Sequence, residues 1–85
     1  MIIELFGVPR QMAGCAEASV DAESVRQALS ALSTQCPGIA KALRSDGSLL
    51  PQYLVSLNGE RFLCDLDETL PPDSRLLLLS ADAGG

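Results

Sequence analysis

Eighty-five residues, 47% hydrophobic and 20% charged, amount to one small domain with the means to bury a core and no room for a second. Eleven acids against six bases give a net charge of −5, which lacks the Lys/Arg footprint that nucleic acid demands. There is no histidine, so the commonest general base and metal ligand is missing, and Cys15, Cys36 and Cys64 form no C-x-x-C pair.

The chain opens with Met1–Phe6, rich in β-formers, with Ile3 and Leu5 on one face and Glu4 on the other. Gly7-Val8-Pro9 predicts that this strand runs into a loop, of which Gly14 marks the far side. Residues 15–20 alternate again, with Ala16, Ala18 and Val20 opposed to Glu17 and Ser19, so the two strands are expected to form a hairpin. Ser24-Val25-Arg26-Gln27 fits a capping box, and Val25, Ala28, Leu29 and Leu32 follow at the spacing of an amphipathic helix. Cys36-Pro37-Gly38 stops it, with one further turn expected over Ile39–Leu43 before the turn residues Ser45-Asp46-Gly47-Ser48.

Tyr53–Leu57 reads as the third strand. Asn58-Gly59 supplies the positive φ that a tight hairpin turn requires, and Glu60–Leu63 is the short return. Residues 65–74 are acidic and carry Pro71-Pro72, so they form a loop, pinned to the core by Leu70. The last strand covers Leu76 to Leu79 or Ser80. The predicted order is β-β-α-β-β-β, an α+β fold in which one main helix covers a mixed sheet: a β-grasp. Residues 1–80 form the domain and residues 81–85 a flexible tail.

Chemistry inside this domain is hard to assemble. There is no phosphate-binding glycine loop, and a Ser or Cys triad of the usual kind cannot be built without histidine. Asp65, Asp67 and Glu68 match no calcium-loop spacing and read as a solvated loop. The cysteines read as small apolar fillers in a reducing compartment. The N-terminus lacks a basic region, and Leu76–Leu79 is too short to span a bilayer, so a cytoplasmic location away from membranes is expected. Residues 60–85 hold six acids and two bases, so a partner meeting this third is expected to be basic there. The chemically distinctive feature is Gly84-Gly85, slim enough to thread a narrow channel and leave a terminal carbonyl open to approach.

With Leu5-Phe6-Gly7, Arg10, Ala13-Gly14, Ser24-Val25, Leu29, Leu32, Pro37-Gly38, Val55, Asn58-Gly59-Glu60, Leu70 and Gly84-Gly85 in this order, the whole chain resembles the ubiquitin-like sulfur carriers. These are the family of the molybdopterin synthase small subunit and the thiamine-biosynthesis sulfur carrier. The resemblance implies a β-grasp fold and a non-catalytic carrier that binds no cofactor. An E1-like enzyme would use ATP to adenylate Gly85, and a persulfide from a sulfur donor enzyme would displace AMP to leave a thiocarboxylate. An acceptor such as the molybdopterin synthase large subunit would then receive the sulfur. Gly84, Ala83 and Asp82 would give the tail its reach, while Phe6, Leu77 and Leu79 would present an apolar docking face.

The segment between Leu43 and Tyr53 looks more like the molybdopterin branch. Pro72-Asp73-Ser74-Arg75 and Leu79–Ala83 depart from the family's usual turn and pre-glycine stretch, so carriers for thiamine, cysteine or tRNA thiolation remain open. So do a ubiquitin-like protein modifier, linked through Gly85 to lysines, and an interaction module with an inert tail.

Overall fold

A computed structural model describes residues 1–81. Five strands, β1 (Ile2–Leu5), β2 (Glu17–Ser19), β3 (Tyr53–Leu57), β4 (Arg61–Phe62) and β5 (Arg75–Ser80), form one mixed sheet in the order β2-β1-β5-β3-β4. β5 lies at its centre, parallel to β1 and antiparallel to β3, with Leu5 opposite Leu78 and Leu54 opposite Leu79. This is the β-grasp architecture, and its α+β class is as the alternation of apolar residues predicts.

The alternation sorts the strands into two faces. Ile3, Leu5, Ala18, Val55, Leu76 and Leu78 turn inward and are buried. Against them lies α2 (Val25–Gln35), whose Val25, Ala28, Leu29 and Leu32 enter the same core. Ser24 Oγ accepts the Gln27 amide at 3.2 Å, as the capping box requires. The return bond is displaced by one residue, since Gln27 Oε1 accepts from the Glu23 amide rather than from Ser24. A 3₁₀ segment, Pro37–Ala42, continues the helical layer and buries Ile39 and Ala42.

The principal difference from the sequence reading is α1 (Gly7–Ala13), a seven-residue helix where a loop was expected. The element order is therefore β-α-β-α-β-β-β, with the 3₁₀ segment after α2, and β1 and β2 pair across a helical connection instead of a loop. Gly and Pro read as loop punctuation, but here they mark the helix ends. Pro9 sits in the first turn, where amide hydrogens have no intrahelical partner to lose, and Gly14 ends the helix at φ 75°, donating its amide to the Arg10 carbonyl.

The other turns follow their residues. Asn58 (φ 55°) and Gly59 (φ 74°) both adopt the left-handed conformation expected of the β3–β4 turn. Asn58 also bonds to β5: its Oδ1 accepts the Arg75 amide at 2.9 Å and its own amide donates to the Arg75 carbonyl at 2.7 Å. Leu70 is buried, and its amide donates to the Glu23 carbonyl at 2.8 Å, pinning the acidic loop to the start of α2. Ala16, expected on the inward face, is exposed because β2 begins only at Glu17.

The helical layer is closed by one tight contact. A Cβ added at Gly38 would lie 2.1 Å from the Met12 carbonyl oxygen, so α1 packs directly on the backbone of the 3₁₀ segment. Gly38→Ala is expected to lower stability by about 1–3 kcal/mol, because overpacking against backbone outweighs the smaller gain from restricting the unfolded chain. Urea denaturation of the two proteins, showing a lower midpoint at unchanged slope, is the check.

Candidate functional site

The outward face of the sheet is determined by the same alternation. With Leu76, Leu78 and Ser80 turned inward, Leu77 and Leu79 of β5 face the other way and are half-buried. Phe6 comes one residue after β1 in an extended conformation, and its amide donates to the Leu78 carbonyl at 3.0 Å. It therefore stands one register step beyond the Leu5–Leu78 pair, next to Leu79. The structure thus places Phe6, Leu77 and Leu79 on one face, opposite the α2 layer.

Two residues that the sequence reading omitted join them. Leu54 is directly opposite Leu79 on β3, and Phe62 of β4 is opposite Ser56, which in turn pairs with Leu77. The outward side chains therefore run in two rows across the sheet, Phe6–Leu79–Leu54 and Glu4–Leu77–Ser56–Phe62. Phe6 is 42% exposed, Val8 of α1 45% and Phe62 57%, high values for such large apolar side chains. Alternation inside Tyr53–Leu57 and Arg61–Leu63 was sufficient to point Leu54 and Phe62 outward. Joining them to β5 required the strand order.

The face becomes polar toward the start of β5. Glu4 and Glu17 are directly opposite each other on β1 and β2, a pairing that repels by itself. The Arg75 guanidinium bonds to Glu4 and reaches Glu17 at 3.5 Å, compensating both carboxylates. The apolar rows consequently lie toward the end of the sheet at which β5 finishes.

Ala81 stands at that end. Its amide still donates to the Gln52 carbonyl at 2.6 Å, so pairing extends one residue beyond β5. Asp82, Ala83, Gly84 and Gly85, the tail residues singled out in the sequence, lie outside the described residues.

The acids of the 65–74 loop are not a bare negative patch. Arg26 Nε donates to Asp67 Oδ1 at 2.8 Å, and Arg61 pairs with Glu68. The hydrogen bond from Arg26 holds the Asp67 carboxyl below its usual range, and that from Arg61 does the same for Glu68. Asp46 is lowered too, chiefly by the Ser48 hydroxyl. Among the described residues no cluster of three or more metal-ligating side chains occurs, and no helix is long and apolar enough to cross a membrane. Cys15 and Cys36 are half-buried against the core, as expected of apolar fillers, and adjacent in space, whereas Cys64 departs from that expectation and is exposed.

No protein-family model and no curated protein sequence matches the chain. Solved structures do. SAMP1 from Haloferax volcanii superposes with a TM-score of 0.83 at 28% identity, over 99% of this chain and 97% of that one. The small archaeal modifier protein 1 from Methanosarcina acetivorans gives a TM-score of 0.81 at 22% identity, over 99% and 94%. The Urm1 protein of Sulfolobus solfataricus gives 0.75 at 14% identity, over 94% and 99%. The last two establish the fold, and the first is similar in sequence as well. The resemblance to ubiquitin-like proteins read from the sequence is borne out.

The ion pairs fix a pH dependence. The folded-state values of Asp46, Asp67 and Glu68 are depressed, so their stabilising contribution is complete above the ordinary carboxylate range and is lost as pH falls through the lowered values. Denaturation midpoints are therefore expected to hold from about pH 7 to 5 and to fall below about pH 4. Arg75→Ala, which leaves Glu4 facing Glu17, is expected to lower the midpoint at low salt, with the loss shrinking as salt is added. Parallel melts at two ionic strengths check it.

Proposed function

For a chain built end to end like SAMP1, we propose a carrier role in which Gly85 is activated by an E1-like enzyme and converted to a thiocarboxylate. The observation that carries this reading is the match over 99% of this chain and 97% of SAMP1 at 28% identity. The apolar rows containing Phe6, Leu77, Leu79 and Leu54 support it, because they lie at the end of the sheet where β5 finishes. An activating enzyme gripping that face would stand beside Ala81, four residues before Gly85.

The chemistry follows from the poor electrophilicity of a carboxylate. Attack of the Gly85 carboxylate oxygen on the α-phosphorus of ATP expels pyrophosphate and forms an acyl-adenylate. The terminal sulfur of a donor enzyme's persulfide then attacks the carbonyl carbon and expels AMP, leaving an acyl disulfide. A second thiol attacks the donor's sulfur in that S–S bond. The thiocarboxylate is released, and the donor is left with a disulfide. Gly84, Ala83 and Asp82 serve as the slim approach to that centre. The protein itself supplies the surface and the carboxylate, while the partner supplies the catalytic groups. Transfer to the large subunit of a molybdopterin synthase is the proposed fate of the sulfur, on the family resemblance of the segment between Leu43 and Tyr53.

A second reading is favoured by the names of the relatives, which are small archaeal modifier proteins. In it the activated Gly85 is attacked by a lysine amine of a target, giving an isopeptide bond after the same adenylation. Lys41 is this chain's single lysine and is exposed on the 3₁₀ segment. Conjugates of the protein with itself through a lysine would therefore all pass through Lys41, and Lys41→Arg would remove them while leaving conjugation to other proteins intact.

The deciding measurement is the intact mass of protein recovered from cells under reducing conditions. A gain equal to exchange of one oxygen for sulfur, mapped to the C-terminal peptide, is the expected result, and deletion of Gly84 and Gly85 is expected to abolish it. Adducts of target lysines with the Gly85 carbonyl would favour the modifier reading instead. An unmodified mass after incubation with ATP, a sulfide source and each E1-like enzyme of the cell would overturn both. Phe6→Asp and Leu79→Asp are expected to weaken binding to the activating enzyme by about tenfold or more at unchanged circular dichroism, as for buried anchors at an interface.

A further inference from the structure

Two cysteines 21 residues apart in the chain come together: Cys15 Sγ and Cys36 Sγ are 3.6 Å apart. Cys15 directly follows Gly14, the left-handed residue that ends α1, and Cys36 is the residue at which α2 ends and the 3₁₀ segment begins. Their approach is imposed by backbone packing that owes nothing to sulfur. The Cys36 amide donates to the Leu32 carbonyl at 2.7 Å, the Gly14 amide donates to the Arg10 carbonyl at 3.0 Å, and the Met12 carbonyl lies against Gly38. To form a bond the two sulfurs must close from 3.6 Å to about 2.05 Å.

The two thiols are not equivalent. Cys15 lines a shallow depression together with Gly7, Arg10, Gln11, Gly14 and Ala16, so it can be reached from solvent beside a guanidinium. Cys36 does not line that depression, and burial, followed by its hydrogen bond with Cys15, pushes its thiol up. That asymmetry suits an attacking thiol and a resolving one.

We propose that Cys15 and Cys36 are a dithiol that closes to a disulfide by exchange with anionic low-mass disulfides of the oxidised-glutathione class, which enter beside Arg10. The Cys15 thiolate attacks one sulfur of the reagent, breaking its S–S bond, forming a mixed disulfide and releasing one thiolate. The Cys36 thiolate then attacks the Cys15 sulfur, forming the intramolecular bond and releasing the second thiolate. The two protons lost by the cysteines end on the two released thiols, so the protein is oxidised by two electrons and the reagent reduced by two. The bond ties the exit of α1 to the end of α2 and leaves Gly85 untouched, so it is independent of the carrier reading.

The full-length chain carrying Cys64→Ser removes the exposed third thiol and is incubated with excess oxidised glutathione, quenched in acid and weighed. The expected result is loss of two hydrogens, a cross-linked peptide pair containing Cys15 and Cys36, and a rise in Tm of about 5 °C or more over the reduced protein. Adding Cys36→Ser is expected to stop the reaction at a stable mixed disulfide on Cys15. Adding Arg10→Ala is expected to slow exchange with glutathione but not with the neutral 2-hydroxyethyl disulfide. Two glutathione adducts per chain, disulfide-linked dimers or an unchanged mass would each overturn the proposal. Should Cys36→Ser fail to fold, a time course on the Cys64→Ser protein with thiol alkylation keeps the question decidable, since the mechanism requires a Cys15 adduct before closure.

Discussion

The parallel pairing of β5 with β1 is the constraint on which the remaining structure depends. Ile2 meets Arg75 and Leu5 meets Leu78, so the first and last strands become neighbours at the middle of the sheet. This pairing closes nearly the whole chain into one loop, a cost in chain entropy that only a continuous apolar core offsets. Leu76 and Leu78 supply its central part, covered on one side by Val25, Leu29 and Leu32. Once β5 is central, both of its neighbours are fixed, and so is the end of the sheet at which Ala81 stands.

The same register builds the outward surface. A one-residue slip of β5 would turn Leu77 and Leu79 inward and expose Leu76 and Leu78, exchanging core for surface. What resists the slip is specific: the Asn58 side chain holds the Arg75 amide, and Arg75 is in turn bound to Glu4. The polar end of the face thus sets the alignment of the apolar end, where Phe6, Leu79 and Leu54 meet. A small aliphatic protein with few aromatic residues gains an outward apolar surface in this way without giving up core area.

The helical layer has a second role. α1 bridges the end of β1 and the 3₁₀ segment, and its close approach at Gly38 is what brings Cys15 to Cys36. Phe6 and Val8 belong to the entry of that helix. The apolar rows and the thiol pair are therefore attached to the two ends of one short element.

Much of this was legible in the residues themselves. Ser24 and Gln27 announced α2, Asn58-Gly59 announced its turn, and strict alternation in Ile3-Glu4-Leu5 and Leu76–Leu79 announced which side chains point inward, because capping, turn geometry and strand pleat are local properties. The seven residues of α1 were not legible. A helix so short is set by tertiary packing on the 3₁₀ segment rather than by intrinsic propensity, and its Gly and Pro carry the same signature as a loop. Leu54 and Phe62 each showed an outward phase but no neighbour, and the two sulfurs looked unrelated at 21 residues apart. The sequence by itself determined the five strands, α2, the inward and outward faces and the presence of Gly84-Gly85. Only the tertiary structure decided which strands are adjacent, and hence which outward side chains form one surface and which cysteines meet, because these depend on contacts between residues far apart in the chain.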